Sequence, residues 1–248
     1  MSSAEGLPAQ LTMADLAPAA AREIDAFRER IRGVPYERKG ILFSEMFFLC
    51  LCAAAVRPAR ILESGRARGQ STLLLAASFP ALPIVSLEHD PNSADVPVAA
   101  ARLQPFRNVE LRFGDATRIL PAMARPGDVA LIDGPKGFRG LRLALRLLAQ
   151  GRVAMVFLHD VSPGTPERRF LETWLPAALY SDDPRFAGVA HALDVAADDI
   201  PEAHRWQGSG PAQGYGYSLA CLQHSPTAAY RRAWAAAILA GLAHRGRG

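Results

Sequence analysis

From Arg60 onward the apolar positions come in short continuous runs, separated by stretches in which they recur every three or four residues. Continuous runs read as strands buried on both faces, and the intervening pattern reads as amphipathic helix. Strands are predicted at Arg60–Glu63, Ile84–Glu88, Val109–Phe113, Val129–Ile132 and Val153–Leu158. Helices are predicted between them at Gln70–Ser78, Ala94–Leu103, Arg118–Met123 and Gly140–Leu148, and after the fifth strand at Pro166–Leu179. Such alternation implies βαβ units and a parallel sheet. Gly188–Val195 and Gly216–Gln223 read as two further strands, antiparallel to each other at a sheet edge, with Gly208, Gly210, Pro211 and Gly214 in their connection. A closing helix is predicted from Pro226 to Ala243.

Upstream, a charged helix over Ala19–Arg32 is stopped by Gly33 and Pro35, and an apolar helix over Ile41–Val56 is stopped by Arg57-Pro58. The apolar helix reads as core, with a homodimer surface left open as the alternative. No repeat, linker or low-complexity tract divides the chain. A single folding unit follows, in which residues 1–57 form a helical segment packed on an α/β domain spanning 58–248.

Composition narrows the function classes. Half of the 248 residues are hydrophobic and 21% are charged, as in an ordinary globular protein. The net charge of +4 comes mostly from scattered arginines, with no basic stripe interleaved with aromatics, so no nucleic-acid partner is expected. The longest apolar run, Met46–Val56, is too short to cross a bilayer. Met1-Ser-Ser-Ala-Glu-Gly lacks a secretory signal's basic and apolar regions. Cys50, Cys52 and Cys221 are too few for a disulfide framework, and Cys50 and Cys52, two apart on a helix, point to different faces rather than forming a metal pair. A cytoplasmic protein is expected.

The candidate chemistry lies at the carboxyl ends of the predicted strands, where open α/β sheets bind ligands. After the first strand comes Glu63-x-Gly65-x-Ala67-x-Gly69, with glycines for a tight turn and Ser71 as a cap for the following helix. Its leading acid would repel phosphate, and the spacing departs from the dinucleotide Gly-x-Gly-x-x-Gly pattern. The loop therefore suits a cationic or hydroxyl-bearing ligand. Glu88-His89-Asp90 ends the second strand, where an acid can accept the ribose hydroxyls of an adenosine cofactor or simply be solvated. Asp115, followed by Ala116, can accept from an adenine amino group, cap the next helix, or do both. Asp133 and the His159-Asp160 pair end the fourth and fifth strands. Two carboxylates there suit Mg²⁺, with His159 as an extra ligand for a softer ion; the alternatives are a turn cap and a satisfied strand-end histidine. Lys136 either binds an anionic substrate group or lies in water.

Taken in order, these residues resemble the class I S-adenosylmethionine-dependent methyltransferases over roughly Ile61 to Gln223. Glu63-x-Gly65-x-Ala67-x-Gly69 is similar to the family's acid-Gly-x-Gly-x-Gly loop, with Ala67 in place of the middle glycine. Glu88 matches the ribose-binding acid, Gly114-Asp115-Ala116 the adenine segment, and Ile132-Asp133-Gly134 the acid near the transferred methyl. Gly-Arg-Ala-Arg-Gly-Gln-Ser-Thr and the Asp-Gly…His-Asp spacing are most similar to small-molecule O-methyltransferases of the cephalosporin-hydroxylase and macrolide-sugar type. The resemblance implies a Rossmann-like, mostly parallel seven-stranded sheet with helices on both faces and an antiparallel last strand. It also implies S-adenosylmethionine as cofactor and a small-molecule acceptor methylated at a hydroxyl oxygen. Cofactor contacts are expected from Glu63, Gly65, Ala67, Gly69, Ser71, Glu88, His89, Asp115, Ala116 and Asp133. Asp133, Asp160 and His159 are the expected catalytic residues and the ligands of any Mg²⁺, with His159 as base. His159 stands where the family often has a second acid, and Lys136 where it often has a histidine. Arg66 and Arg68 are expected to point outward. A cofactor-binding protein without catalysis is the competing reading, resting on Ala67 and the missing second acid. A nucleic-acid methyltransferase is disfavoured because no Asn/Asp-Pro-Pro-aromatic motif follows the fourth strand, and a nicotinamide oxidoreductase by the glycine spacing. Trp206, Tyr215 and Tyr217 are candidates for lining the acceptor pocket.

Overall fold

The computed structural model describes residues 10–36, 40–195 and 218–245. The five strands read as parallel form β1 (Arg60–Ser64), β2 (Ile84–Glu88), β3 (Val109–Phe113), β4 (Asp128–Ile132) and β5 (Val153–Leu158). Their connections are α3 (Gln70–Ser78), α4 (Asp95–Leu103), α5 (Ala116–Met123) and α6 (Gly137–Ala149), after α1 (Met13–Arg30) and α2 (Phe43–Val56). The chain continues through α7 (Pro166–Trp174), β6 (Leu179–Tyr180), α8 (Pro184–Ala190), α9 (Ala192–Val195), β7 (Ala220–Gln223) and α10 (Tyr230–Arg245). The sheet order is β3-β2-β1-β4-β5-β7-β6, with β7 alone running antiparallel between β5 and β6. The strand order reverses between β1 and β4, which places a crevice outside their carboxyl ends.

Side-chain alternation feeds two cores. Ile61, Val129, Leu131, Met155 and Phe157 face a core shared with α1, α2, α3 and α8. Leu62, Ala130, Ile132, Val156 and Leu158 face the opposite core, filled by α6, α7 and α10. Register between β1 and β4 is pinned at their starts, where Arg60 Nη2 meets the buried Asp128 carboxylate at 2.6 Å. In α2, nine of the fourteen residues are buried, among them Phe47, Phe48 and Leu49, so its apolar residues belong to the core and not to a dimer surface. The three cysteines are free and buried. No helix among the described residues is long and apolar enough to cross a membrane.

Three expectations are corrected. Gly188–Val195 is not a strand: Asp183 caps a helix that starts at Pro184, and Phe186, Ala190 and Leu193 then recur at helical spacing against the core. The helix predicted to run to Leu179 stops at Trp174, ahead of Leu175-Pro176, because a residue before proline avoids helical geometry. That frees Leu179–Tyr180 to form the edge strand beside β7, whose predicted start at Gly216 and Tyr217 lies outside the described residues. β3 is not buried on both faces: it is the other sheet edge, and Glu110 and Arg112 pair in solvent at 2.6 Å.

Phe48 sits at the centre of this packing, fully buried, with its ring 5.1 Å from Phe186 and 6.4 Å from Phe157 in edge-on contacts. Phe48→Ala would open a cavity under the sheet and is expected to cost about 3–5 kcal/mol, read as a lower urea midpoint with an unchanged slope.

Candidate functional site

The loop between β1 and α3 is held by backbone from both sides. Gly65 N and Arg66 N donate to Leu87 O of β2, while Asp133 N and Gly134 N donate to Ser64 O from β4. A Cβ on Gly65 would lie 2.6 Å from Gly134 N, so only glycine permits this crossing. Ala67 sits at φ 43°, a left-handed conformation that costs a side-chain-bearing residue about 1–2 kcal/mol. Its N–H donates to Glu88 Oε2 at 2.9 Å, which anchors the turn where alanine replaces glycine. Gly69, at φ 83°, starts α3 and packs against Ala99 and Leu103 of α4.

Glu63 does not face the crevice. It is fully buried beneath the loop and accepts from Ser71 Oγ at 2.5 Å, Ser86 Oγ at 2.5 Å, and Thr72 Oγ1. Burial pushes its carboxyl upward, and the three hydroxyls partly oppose that. Ser71 is thus a partner of Glu63 and not a helix cap. Arg66 also turns inward: Nη1 donates to Ser86 O at 2.7 Å and its guanidinium lies 5.1 Å from the Phe113 ring. Burial lowers its pKa, with Glu63 and Glu88 acting against the shift. Arg68 lies half-buried with Nη1 3.8 Å from Asp95.

Above the loop lies a cleft of about 200 Å³ lined by Ser64, Gly65, Leu87, Glu88, His89, Gly114, Asp115, Ala116, Gly134, Pro135 and Arg139. Of the expected cofactor residues it brings together Gly65, Glu88, His89, Asp115 and Ala116. Glu63, Ala67, Gly69 and Ser71 shape the loop from below. Asp115 caps α5 through Thr117 N at 2.9 Å and pairs with Arg139 at 3.1 Å; the Thr117 hydroxyl leads the interactions that lower its pKa. Glu88 keeps lone pairs toward the cleft after serving Ala67 N and His89 N, and Arg139 is already spent on Asp115. An acceptor-rich cleft without a phosphate cradle fits a nucleoside bearing free sugar hydroxyls.

Next to the cleft, Asp133, Lys136, His159 and Asp160 converge, joined from α2 by Glu45. His159 Nδ1 lies 2.6 Å from Asp133 Oδ1 and 3.2 Å from Asp160 Oδ1, and its Nε2 lies 3.3 Å from Glu45 Oε2. With carboxylates at both nitrogens, the ring is a doubly donating imidazolium. Burial would lower its pKa, but Asp133 and Glu45 hold it well above the ordinary value. Asp133 moves the opposite way: burial would raise it, yet His159 and Lys136 bring it to about 2. His159 is therefore held as an acid, and its expected role as base does not fit this geometry. Asp160, at φ 62°, is a strained left-handed residue aimed at Lys136.

Glu45 escaped the sequence reading. It is 1% exposed, accepts from Leu42 N at 3.1 Å, and leaves Oε1 buried without a partner. Its signal was a single acid among Phe43, Met46, Phe47 and Phe48, since a buried charge demands a partner. Beside it, Asp194 takes Ser44 N at 3.0 Å, and burial raises its carboxyl to about 7. Trp206, Tyr215 and Tyr217 lie outside the described residues.

Asp133, His159 and Asp160 offer ligand atoms within 4.8 Å of one another, a spacing able to hold one ion. Mg²⁺ does not fit beside Lys136, however. Its ammonium meets Asp133 Oδ1, lies 2.7 Å from Asp160 Oδ2, and comes within 3.4 Å of His159 Nδ1.

No family model matches the chain. It is 37% identical over 114 residues to the catechol O-methyltransferase of Mycobacterium tuberculosis, a match covering 44% of this chain. The match spans about half of that relative's length, 52%. Among solved structures it is similar to the O-methyltransferase TomG of Streptomyces achromogenes in complex with S-adenosylmethionine, with a TM-score of 0.51 and 20% identity over 88% of this chain and 92% of that one. An O-methyltransferase of Bacillus cereus with S-adenosylhomocysteine gives a TM-score of 0.48 and 16% identity over 83% of this chain and 90% of that one. The likeness to TomG shows the fold, a Rossmann-like, mostly parallel sheet.

The charge state of His159 is directly measurable. Its raised pKa means stability that is complete below the unfolded value near 6.5 and is lost as pH rises through the folded value. Asp133 contributes stability above its ordinary 3.8 that is lost as pH falls through about 2. Nitrogen NMR is expected to show both His159 ring nitrogens protonated at pH 7, with a lower pKa in Asp133→Asn. A neutral ring at pH 7 in the unmodified protein would contradict the assignment.

Proposed function

We propose that the protein transfers a methyl group from S-adenosylmethionine to a hydroxyl oxygen of a small molecule, with aromatic diols as the class to test first. The observation that carries this reading is the Gly65–Gly134 backbone contact, which sets the Glu88–Asp115 cleft directly beside Asp133, Lys136 and Asp160. The partial match to a catechol O-methyltransferase supports an O-linked acceptor, and the fold shared with TomG supports the cofactor. The three unpaired buried thiols support a reducing, cytoplasmic setting. The absence of a basic, aromatic-interleaved stripe supports a small molecule over nucleic acid as acceptor.

When bound, S-adenosylmethionine supplies an electrophilic methyl whose C–S electron pair leaves to sulfur as the acceptor oxygen bonds to carbon. Glu88 would hold the ribose hydroxyls, His89 would border them, and Asp115 with Ala116 would border the adenine. Asp133, kept ionised by its cationic neighbours, would orient the acceptor hydroxyl. Asp160 is the more exposed of the two acids, which suits it to take the O–H proton. The hydroxyl's electrons then form the new O–C bond. Most of the rate would come from holding the two partners in line.

Asp133→Ala is expected to lower kcat/KM for methylation of a catechol by roughly 10²–10³, while S-adenosylmethionine affinity by titration calorimetry stays within about threefold. Full transfer by this variant would sink the role of Asp133. Tight cofactor binding with no transfer to any phenol, diol or sugar hydroxyl would favour the catalytically silent alternative.

A further inference from the structure

Resting on that reading, we propose that the Lys136 ammonium stands in the position of a divalent cation, anchors the acceptor oxygen itself, and makes transfer independent of metal. Asp133, His159 and Asp160 surround one point, as three ligands of an ion would. Lys136 reaches that point from the loop between β4 and α6, contacting Asp133 Oδ1 and lying 2.7 Å from Asp160 Oδ2. An ammonium has three donors, and two are spent on these carboxylates. His159 Nδ1 lies 3.4 Å from Nζ and 2.6 Å from Asp133 Oδ1. The side chain is 53% exposed, so the ammonium is open to an acceptor that enters from solvent.

The charges argue the same way. Three carboxylates, Glu45, Asp133 and Asp160, gather around His159 and Lys136, and the lysine ammonium already lies between Asp133 and Asp160. A divalent ion would have to displace the lysine first. In the proposed arrangement Lys136 keeps all its protons: it stabilises the growing negative charge on the acceptor oxygen while the hydroxyl proton passes to Asp160. This is the electrostatic half of what a metal would supply, delivered by a point charge.

Metal binding tests this without relying on turnover. Mn²⁺ titrated into the whole protein and followed by electron paramagnetic resonance is expected to show no site tighter than about 0.1 mM. Lys136→Met removes the charge but keeps the chain length, and should bind Mn²⁺ at least roughly tenfold more tightly. Lys136→Ala guards against blockage by the methionine and should behave alike. In the activity arm, dialysis against a chelator is expected to leave catechol methylation within about twofold, while Lys136→Met lowers kcat/KM by roughly 10². A tight Mn²⁺ site in the unmodified protein, activity lost on chelation and restored by Mg²⁺, or no gain of metal affinity in both variants would each overturn the proposal. Absence of methyl transfer with any acceptor would instead overturn the methyltransferase reading, and the Mn²⁺ titrations would still decide the place of Lys136.

Discussion

Gly65 and Gly134 touch backbone to backbone, and the site depends on that contact. Adding a single methyl to Gly65 would place it 2.6 Å from Gly134 N and 2.8 Å from the Asp133 carbonyl carbon. The loop after β1 and the turn after β4 would then separate, and with them the two halves of the crevice. Ser64 O reinforces the crossing by accepting from both Asp133 N and Gly134 N. Beneath it, Glu63 gathers hydroxyls from α3 and β2, so the loop is fixed from below by side chains and from the side by backbone. A buried carboxylate is costly unless its lone pairs are filled, and three O–H donors fill them here.

This changes what the glycine-rich loop signifies. Its spacing is legible in sequence as a ligand site, yet Glu63, Ala67, Gly69 and Ser71 act by shaping the turn, and the ligand-facing surface comes from Gly65 and from residues on other strands. Ala67 is tolerated in place of glycine because Glu88 holds its N–H through the left-handed turn. Glu88 thereby has two tasks, bracing the loop and presenting acceptors to the cleft. A substitution there would disturb both, so Glu88 is a poor reporter of cofactor contact alone.

The parallel strands and the helices between them were legible because continuous apolar runs alternate with segments of helical period. The failures fell where local pattern and tertiary context compete. Gly188–Val195 has the valines of a strand, but Asp183-Pro184 starts a helix and Phe186, Ala190 and Leu193 then find the core. Leu179–Tyr180 is too short to carry any period and becomes a strand only because β7 offers it backbone partners. At the site, the acids ending β4 and β5 were visible from position. The pairing of Glu45 with His159 spans 114 residues, and nothing local announces which strand end a lone acid on α2 will meet.

Glu45 also explains why an N-terminal helix matters to chemistry at the far edge of the sheet. With only Asp133 beside it, His159 could release its second proton and serve as base or metal ligand. Glu45 removes that freedom by engaging Nε2 from inside the core, where the carboxylate itself cannot be hydrated. With His159 held between Asp133 and Glu45, Asp160 is the more exposed of the two strand-end acids. Lys136 then completes a set of alternating charges whose order is dictated by one buried acid on α2. The division of labour at the crevice is set by packing of the helical segment against the sheet, and loop sequence alone would not have produced it.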